Sequence, residues 1–190
     1  MRLVAMLVFC AATLAVFAAT RRQQPRSERD APRYDVDVAE LGRRHLDVPV
    51  RGIVRAQLTP TFTQSRGDHP HEALDILAPR GAAVVAADEG TIVKLFTSKP
   101  GGLTIYQFDP SQRYAYYYAH LDRYAEGIRE GLAVRRGDLL GFVGTTGNAN
   151  PAQPHLHFAI FKLGPEKRWW QGVPIDPHAV FMITGPEVGK

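Results

Sequence analysis

The 190-residue chain has a single cysteine, Cys10, so it forms no intramolecular disulfide and no cysteine-based zinc site. Any metal must be held by histidine and carboxylate. With no cysteine beyond the N-terminal tract, composition fits an oxidising or a reducing compartment equally. Dense basic runs are also missing. The formal charge is +4, from 23 Lys and Arg against 19 Asp and Glu, and 18 of the 23 are Arg. That balance suits anionic partners, but without clustering it supplies no nucleic-acid-binding arm. No repeat of 20–50 residues and no low-complexity tract occurs, which excludes a solenoid or an array. Seventeen Gly, 14 Pro and short runs of Val, Ile, Tyr and Phe point to a turn-rich β protein rather than a helical bundle or coiled coil. At this length one hydrophobic core is expected.

The one long apolar run, Leu3 to Ala19 behind Arg2, reads as a secretory signal peptide or a membrane anchor over residues 1–20. Either implies export to the periplasm or cell envelope, with anchoring to the inner membrane through residues 3–19 in the second case. Seventeen residues is the lower limit for a spanning helix. Arg21, Arg22, Arg26 and Arg29 follow the run, and positive charge there opposes translocation. Residues 21–48, rich in Arg, Asp, Glu, Gln and Pro, read as a solvated polar stalk in which Val36 to Leu46 can form a short helix able to pack on the domain.

From residue 49 to 185 the texture is that of a folded β domain. Val84–Ala86, Thr91–Phe96, Leu103–Phe108, Tyr114–Ala119, Leu139–Val143 and Leu156–Phe161 are β-type runs separated by Gly-containing turns. Closely spaced strands of this kind predict a compact antiparallel sheet or roll. Tyr116 and Tyr118, two apart, share a face; core packing is favoured over the cleft for both.

Chemistry concentrates in the histidines. His71 and Asp75 are four apart, His155 and His157 two apart, and His120 ends the run Tyr116-Tyr117-Tyr118-Ala119-His120. Two imidazoles and a carboxylate give zinc three ligands and leave a fourth position for water. Residues i and i+2 of a strand face one side, so His155 and His157 are expected in one cleft, one for metal and one for protons. Chance alone supplies about 0.4 His-x-x-x-Asp and about 0.26 His-x-His in such a composition, so the weight lies in their combination. His45, His69 and His178 read as surface residues, although His69 competes with His71 as the ligand. The segment His71-Glu72-Ala73-Leu74-Asp75 also resembles a zincin helix with its second His replaced. Ile76-Leu77-Ala78 running into Pro79-Arg80-Gly81 leaves too little room for that helix, and Glu72 is expected at the solvent side rather than as a general base.

The ordered set His71-Glu-Ala-Leu-Asp75-Ile, Val85-Ala86-Ala87-Asp88-Glu89-Gly90, Tyr118-Ala119-His120-Leu121, Val134-x-x-Gly137-Asp138-x-Leu140-Gly141 and His155-Leu156-His157-Phe158 resembles the M23 zinc endopeptidases, the lysostaphin and LytM group. The resemblance runs from about Pro49 to Val180 and includes Asp176-Pro177 near the end. It implies a LytM-like β fold and one Zn²⁺ held by His71, Asp75 and His157. It further implies that His120 and His155 act in proton transfer and transition-state stabilisation, with peptidoglycan peptide as the substrate. Three departures stand out: Ala73 where the family usually has Gly, the longer Pro-rich loop Asn148 to Pro154, and a loose match over Gly101 to Arg113, where Phe108-Asp109-Pro110 replaces a regular hairpin. A non-catalytic LytM-like regulator of other wall hydrolases is the main alternative, but such proteins usually lack part of the metal set. A lipoyl or biotinyl carrier shares two of the motifs, yet Lys94 sits inside a strand run rather than at a hairpin tip.

Overall fold

The computed structural model describes residues 34–183. The apolar tract at 3–19, with its signal or anchor reading, and residues 21–33 of the expected stalk lie outside the described residues. Among the described residues no helix is long and apolar enough to cross a membrane.

Nine strands form one antiparallel sheet: β1 (Leu74–Leu77), β2 (Ala83–Val85), β3 (Gly90–Ser98), β4 (Gly102–Phe108), β5 (Tyr114–Tyr124), β6 (Ala133–Val134), β7 (Leu139–Val143), β8 (His155–Leu163) and β9 (Gly172–Ile175). Two helices flank them, α1 (Tyr34–Arg43) and α2 (Pro177–Met182). The strand order is β1-β8-β5-β4-β3-β6, with β9 also on β8, and with β7 joining β5 to β2. This is the mainly β, antiparallel sheet that the sequence predicts. β5 is its organising strand. Tyr114–Ala119 pair with β8, whereas Leu121–Tyr124 pair with β7, so β8 and β7 diverge beside residue 120.

The core follows strand alternation. Tyr114, Tyr116 and Tyr118 are fully buried with Leu74, Ile92, Ile105, Leu140, Leu156, Phe158 and Ile160. A buried tyrosine needs a partner for its hydroxyl. Tyr114 donates to Asp37 (2.8 Å), Tyr116 to Asp88 (3.0 Å) and Tyr118 to Gln107 (2.8 Å). Tyr116 and Tyr118 are therefore core residues, the preferred expectation. The Gly101–Arg113 segment leads into the β4–β5 hairpin, whose register shifts between Leu103 and Ile105. Asp109 Oδ1 accepts the backbone N–H groups of Arg113 and Tyr114, both at 2.8 Å, and closes the β4–β5 turn. Asp176 caps α2 by accepting the His178 N–H, with Pro177 in the first helical position where its missing N–H costs nothing.

Over its described part, residues 34–48, the expected stalk holds the short helix, packed on the domain. Leu41 and Leu46 are buried in the core, and α1 belongs to the same compact unit as the sheet. The acids of α1 are tied to sheet cations: Lys162 Nζ donates to both Asp37 oxygens (2.8 and 2.9 Å), and Arg113 pairs with Glu40 (2.8 Å). The folded unit thus takes in α1.

Candidate metal centre and cleft

The site grows from one strand pairing. β1 runs antiparallel to β8 with Asp75 directly opposite His157, which brings together residues 82 apart in sequence. His71 lies just before β1, where the chain bends through Glu72 in the left-handed region (φ 57°). Two backbone bonds hold that bend, from His71 N–H to Gln64 O (2.8 Å) and from Glu72 N–H to Phe62 O (2.9 Å). The zincin alternative is excluded because Leu74–Leu77 is strand, and Glu72 is exposed.

Three ligand-type atoms converge: His71 Nε2 to His157 Nδ1 is 3.1 Å, His71 Nε2 to Asp75 Oδ1 is 3.1 Å, and His157 Nδ1 to Asp75 Oδ1 is 3.2 Å. Ligands about 2.0 Å from a tetrahedral ion stand about 3.3 Å apart, so this triangle fits zinc. Proton accounting points the same way. The His71 Nδ1 contact to Thr61 O (3.2 Å) places a proton on Nδ1, so the metal-binding tautomer of His71 presents a lone pair at Nε2. A proton on His157 Nδ1 can serve two edges of the triangle. The third, between His71 Nε2 and Asp75 Oδ1, then sets lone pair against lone pair, and a cation between them relieves it.

Burial works against the charged Asp75, but the hydrogen bond with His157 and the nearby imidazoles of His157 and His71 outweigh it and hold the carboxyl far below the usual carboxylate range. Burial also lowers the His157 pKa, against the pull of Asp75. Both directions favour the deprotonated forms that a metal requires.

His155 and His157 share a face as expected, and His120 joins them. Ring centroids are 5.0 Å apart for His120 and His155 and 5.5 Å for His120 and His157. Alternation alone would send His120 into the core with Tyr116 and Tyr118. β5 instead carries an extra residue between its pairings Ile105↔Tyr118 and Leu103↔Leu121, and His120 takes φ 61°, so a bulge turns its ring to the cleft. His120 Nδ1 contacts Thr146 O and His155 Nδ1 contacts Gln153 O, each at 2.8 Å, which leaves both Nε2 atoms for the cleft. Burial pushes the His120 imidazole down to about 4, so it is a neutral proton acceptor near pH 7.

The five singled-out residues thus line one open cavity of about 1030 Å³. His69 sits at its rim, exposed and turned to Pro70 O, outside the ligand cluster. Asn148, Ala149, Asn150 and Gln153 of the long loop also line the cavity.

Three further residues, Thr61, Arg66 and Tyr117, had no individual role in the sequence reading. Thr61 Oγ1 donates to Ala73 O and accepts from Asp75 N–H, both at 3.0 Å, while its carbonyl orients His71. One threonine therefore steadies two members of the cluster. Tyr117, on the opposite face from its neighbours, sets its ring 5.9 Å from His157. The alternation of β5 around Tyr116 and Tyr118 was the signal for it.

Residues 69–177 match Peptidase family M23. The L-Ala–D-Glu endopeptidase of Bacillus subtilis is 30% identical over 147 residues, covering 73% of this chain and 43% of the relative. The DD-carboxypeptidase/endopeptidase Mpg of Neisseria meningitidis is 34% identical over 119 residues, 62% of this chain and 24% of its own. Among solved structures, Helicobacter pylori Csd3 has a TM-score of 0.53 at 25% identity, covering 70% of this chain and 32% of that one. The chain spans less than half the length of these relatives.

Proposed function

Because this chain belongs to Peptidase family M23, we propose that it is a zinc endopeptidase that hydrolyses peptide cross-links of bacterial peptidoglycan. The observation that carries this reading is the lone-pair triangle of His71, Asp75 and His157, with two further histidines directed at the same cavity. The printed activities of the relatives, an L-Ala–D-Glu endopeptidase and a DD-carboxypeptidase/endopeptidase, support a wall-peptide substrate.

His71 Nε2, Asp75 Oδ1 and His157 Nδ1 would hold the ion. Bound there, zinc would supply a Lewis acid to acidify water and polarise a peptide carbonyl. The protein does the rest. Thr61 fixes the tautomer of His71 and the backbone of Asp75. His120 and His155, each anchored through Nδ1 to a backbone carbonyl, offer Nε2 to take the nucleophile's proton and return it to the leaving amine, or to hold the developing oxyanion. The amides of Asn148, Asn150 and Gln153 suit a peptide backbone along the cleft. Since all five positions are kept, catalysis is favoured over the regulator alternative.

In this reading the domain works outside the cytoplasmic membrane, in the periplasm or cell envelope, delivered by the apolar segment at 3–19 as a signal peptide or an anchor. Digestion of purified sacculi tests the proposal. Zinc-loaded protein should release soluble muropeptides with new amino termini, chelator should stop the release, and zinc should restore it. Release that survives complete metal removal, or none with zinc bound, would refute it. Fractionation of a C-terminally tagged chain should find the domain in the envelope.

A further inference from the structure

The charges lining the cavity are unusual in their sparseness. Apart from histidines, the described lining includes two charged side chains, Asp75 and Arg66, and they are bonded to each other, Arg66 Nη2 donating to Asp75 Oδ2 at 2.6 Å. Asp75 Oδ1 is the oxygen turned to His71 and His157, so the guanidinium stands one carboxylate's width from the ligand triangle. That bond takes one of the five guanidinium N–H groups, and no other side-chain bond of Arg66 occurs among the described residues. The Arg66 side chain is 44% exposed and so open to a ligand entering the cavity. Nothing on the described lining balances the charge once a divalent ion sits beside Asp75. The ion and the guanidinium outweigh the single carboxylate by two charges, while Gln57, Gln64, Asn148, Asn150 and Gln153 contribute only neutral amides. Such a cleft attracts an anion, and Arg is the side chain whose planar fork matches a carboxylate.

We propose that Arg66 is a specificity residue that binds a free carboxylate of the substrate peptide next to the scissile bond, so that the protein selects acidic stem peptides over their amidated forms. This rests on the peptidase reading and adds the substrate class to it. A residue that only steadied Asp75 would affect all substrates alike. A residue that touches the substrate carboxylate changes the ratio between substrates.

The test uses two versions of one cross-linked muropeptide dimer, with its stem carboxyl groups free or converted to carboxamides, and zinc-loaded protein with metal content measured for every variant. Wild-type protein should cut the free dimer with kcat/KM about tenfold or more above the amidated one, chiefly through KM. Arg66→Gln should bring the ratio to within about twofold, and Arg66→Lys should restore part of it. A wild-type ratio near one, or a ratio that Arg66→Gln leaves intact, would overturn the proposal. Calorimetric binding of the same dimers to the zinc-loaded His120→Ala protein, with and without Arg66→Gln, gives a readout independent of turnover. Tighter binding of the free dimer, lost with Arg66→Gln, supports the proposal; equal binding overturns it. Failure to cut either dimer would count against the peptidase reading, and the binding comparison would still decide the role of Arg66.

Discussion

Two clusters of polar side chains lie on opposite faces of the sheet, and they satisfy themselves differently. Beneath α1, Asp37, Asp88 and Asp109 are almost fully buried, yet each meets donors: Lys162 and the Tyr114 hydroxyl at Asp37, Arg136 and the Tyr116 hydroxyl at Asp88, Arg44 and two backbone N–H groups at Asp109. Every contact sets a donor against an acceptor. In the cleft the contacts are as short, but His71, Asp75 and His157 set acceptor against acceptor on at least one edge. Close approach alone does not separate a structural network from a site. The supply of protons does: the first cluster is complete without a ligand, and the second is complete only with a cation.

The largest expected effect breaks the second cluster. Asp75→Ala should remove zinc from the purified protein and lower sacculus digestion by roughly 10³-fold or more, while the protein stays folded. Metal analysis beside circular dichroism checks both halves. The counterpart on the other face is Asp109→Ala, which leaves Arg44 and the hairpin N–H groups without their acceptor and should cost about 3–5 kcal/mol in urea unfolding, with zinc content per folded molecule unchanged. Its pH dependence has a definite sign. Burial opposes ionisation of Asp109, but Ser111, the Tyr114 N–H and Arg44 hold its pKa below the ordinary carboxylate value. The stabilisation is therefore present above the unfolded-state pKa and is lost as pH falls through the folded one. Wild-type stability should drop on acidification below about pH 5, and less steeply in Asp109→Asn.

Smaller effects sharpen the division within the cleft. His120→Ala and His155→Ala should each keep zinc yet lose roughly 10²-fold in kcat. Loss of metal from either would make that residue a ligand. Thr61→Val keeps the carbonyl that orients His71 but deletes the hydroxyl that links Ala73 to Asp75, and should weaken zinc about tenfold in competition with a chelating dye.

Much of this was legible in the sequence because it rests on local spacing. The pairs His71/Asp75 and His155/His157 announced a His and carboxylate centre, and turn residues marked six of the nine strands. What escaped depends on distant partners. β1, β6 and β9 are four residues or shorter, and they exist through pairing with β8 and β3. α1 was legible as a short helix able to pack on the domain, but its acids gave no sign of the lysine 125 residues away that neutralises Asp37. His120 reaches the cleft only through a bulge that reverses the alternation of its strand. Tyr117 and Arg66 carry no motif of their own; position on the cleft face marks the first, and a bond to Asp75 marks the second.

The central claim is that His71, Asp75 and His157, and no other set, hold the metal. Anomalous diffraction at the zinc edge from crystals of the zinc-loaded protein tests it most directly. A single peak about 2.0–2.2 Å from His71 Nε2, Asp75 Oδ1 and His157 Nδ1, with His120 and His155 beyond bonding distance, is the predicted result. A peak bound by His69, His120 or His155, or no peak at this triangle in a zinc-loaded crystal, would contradict it.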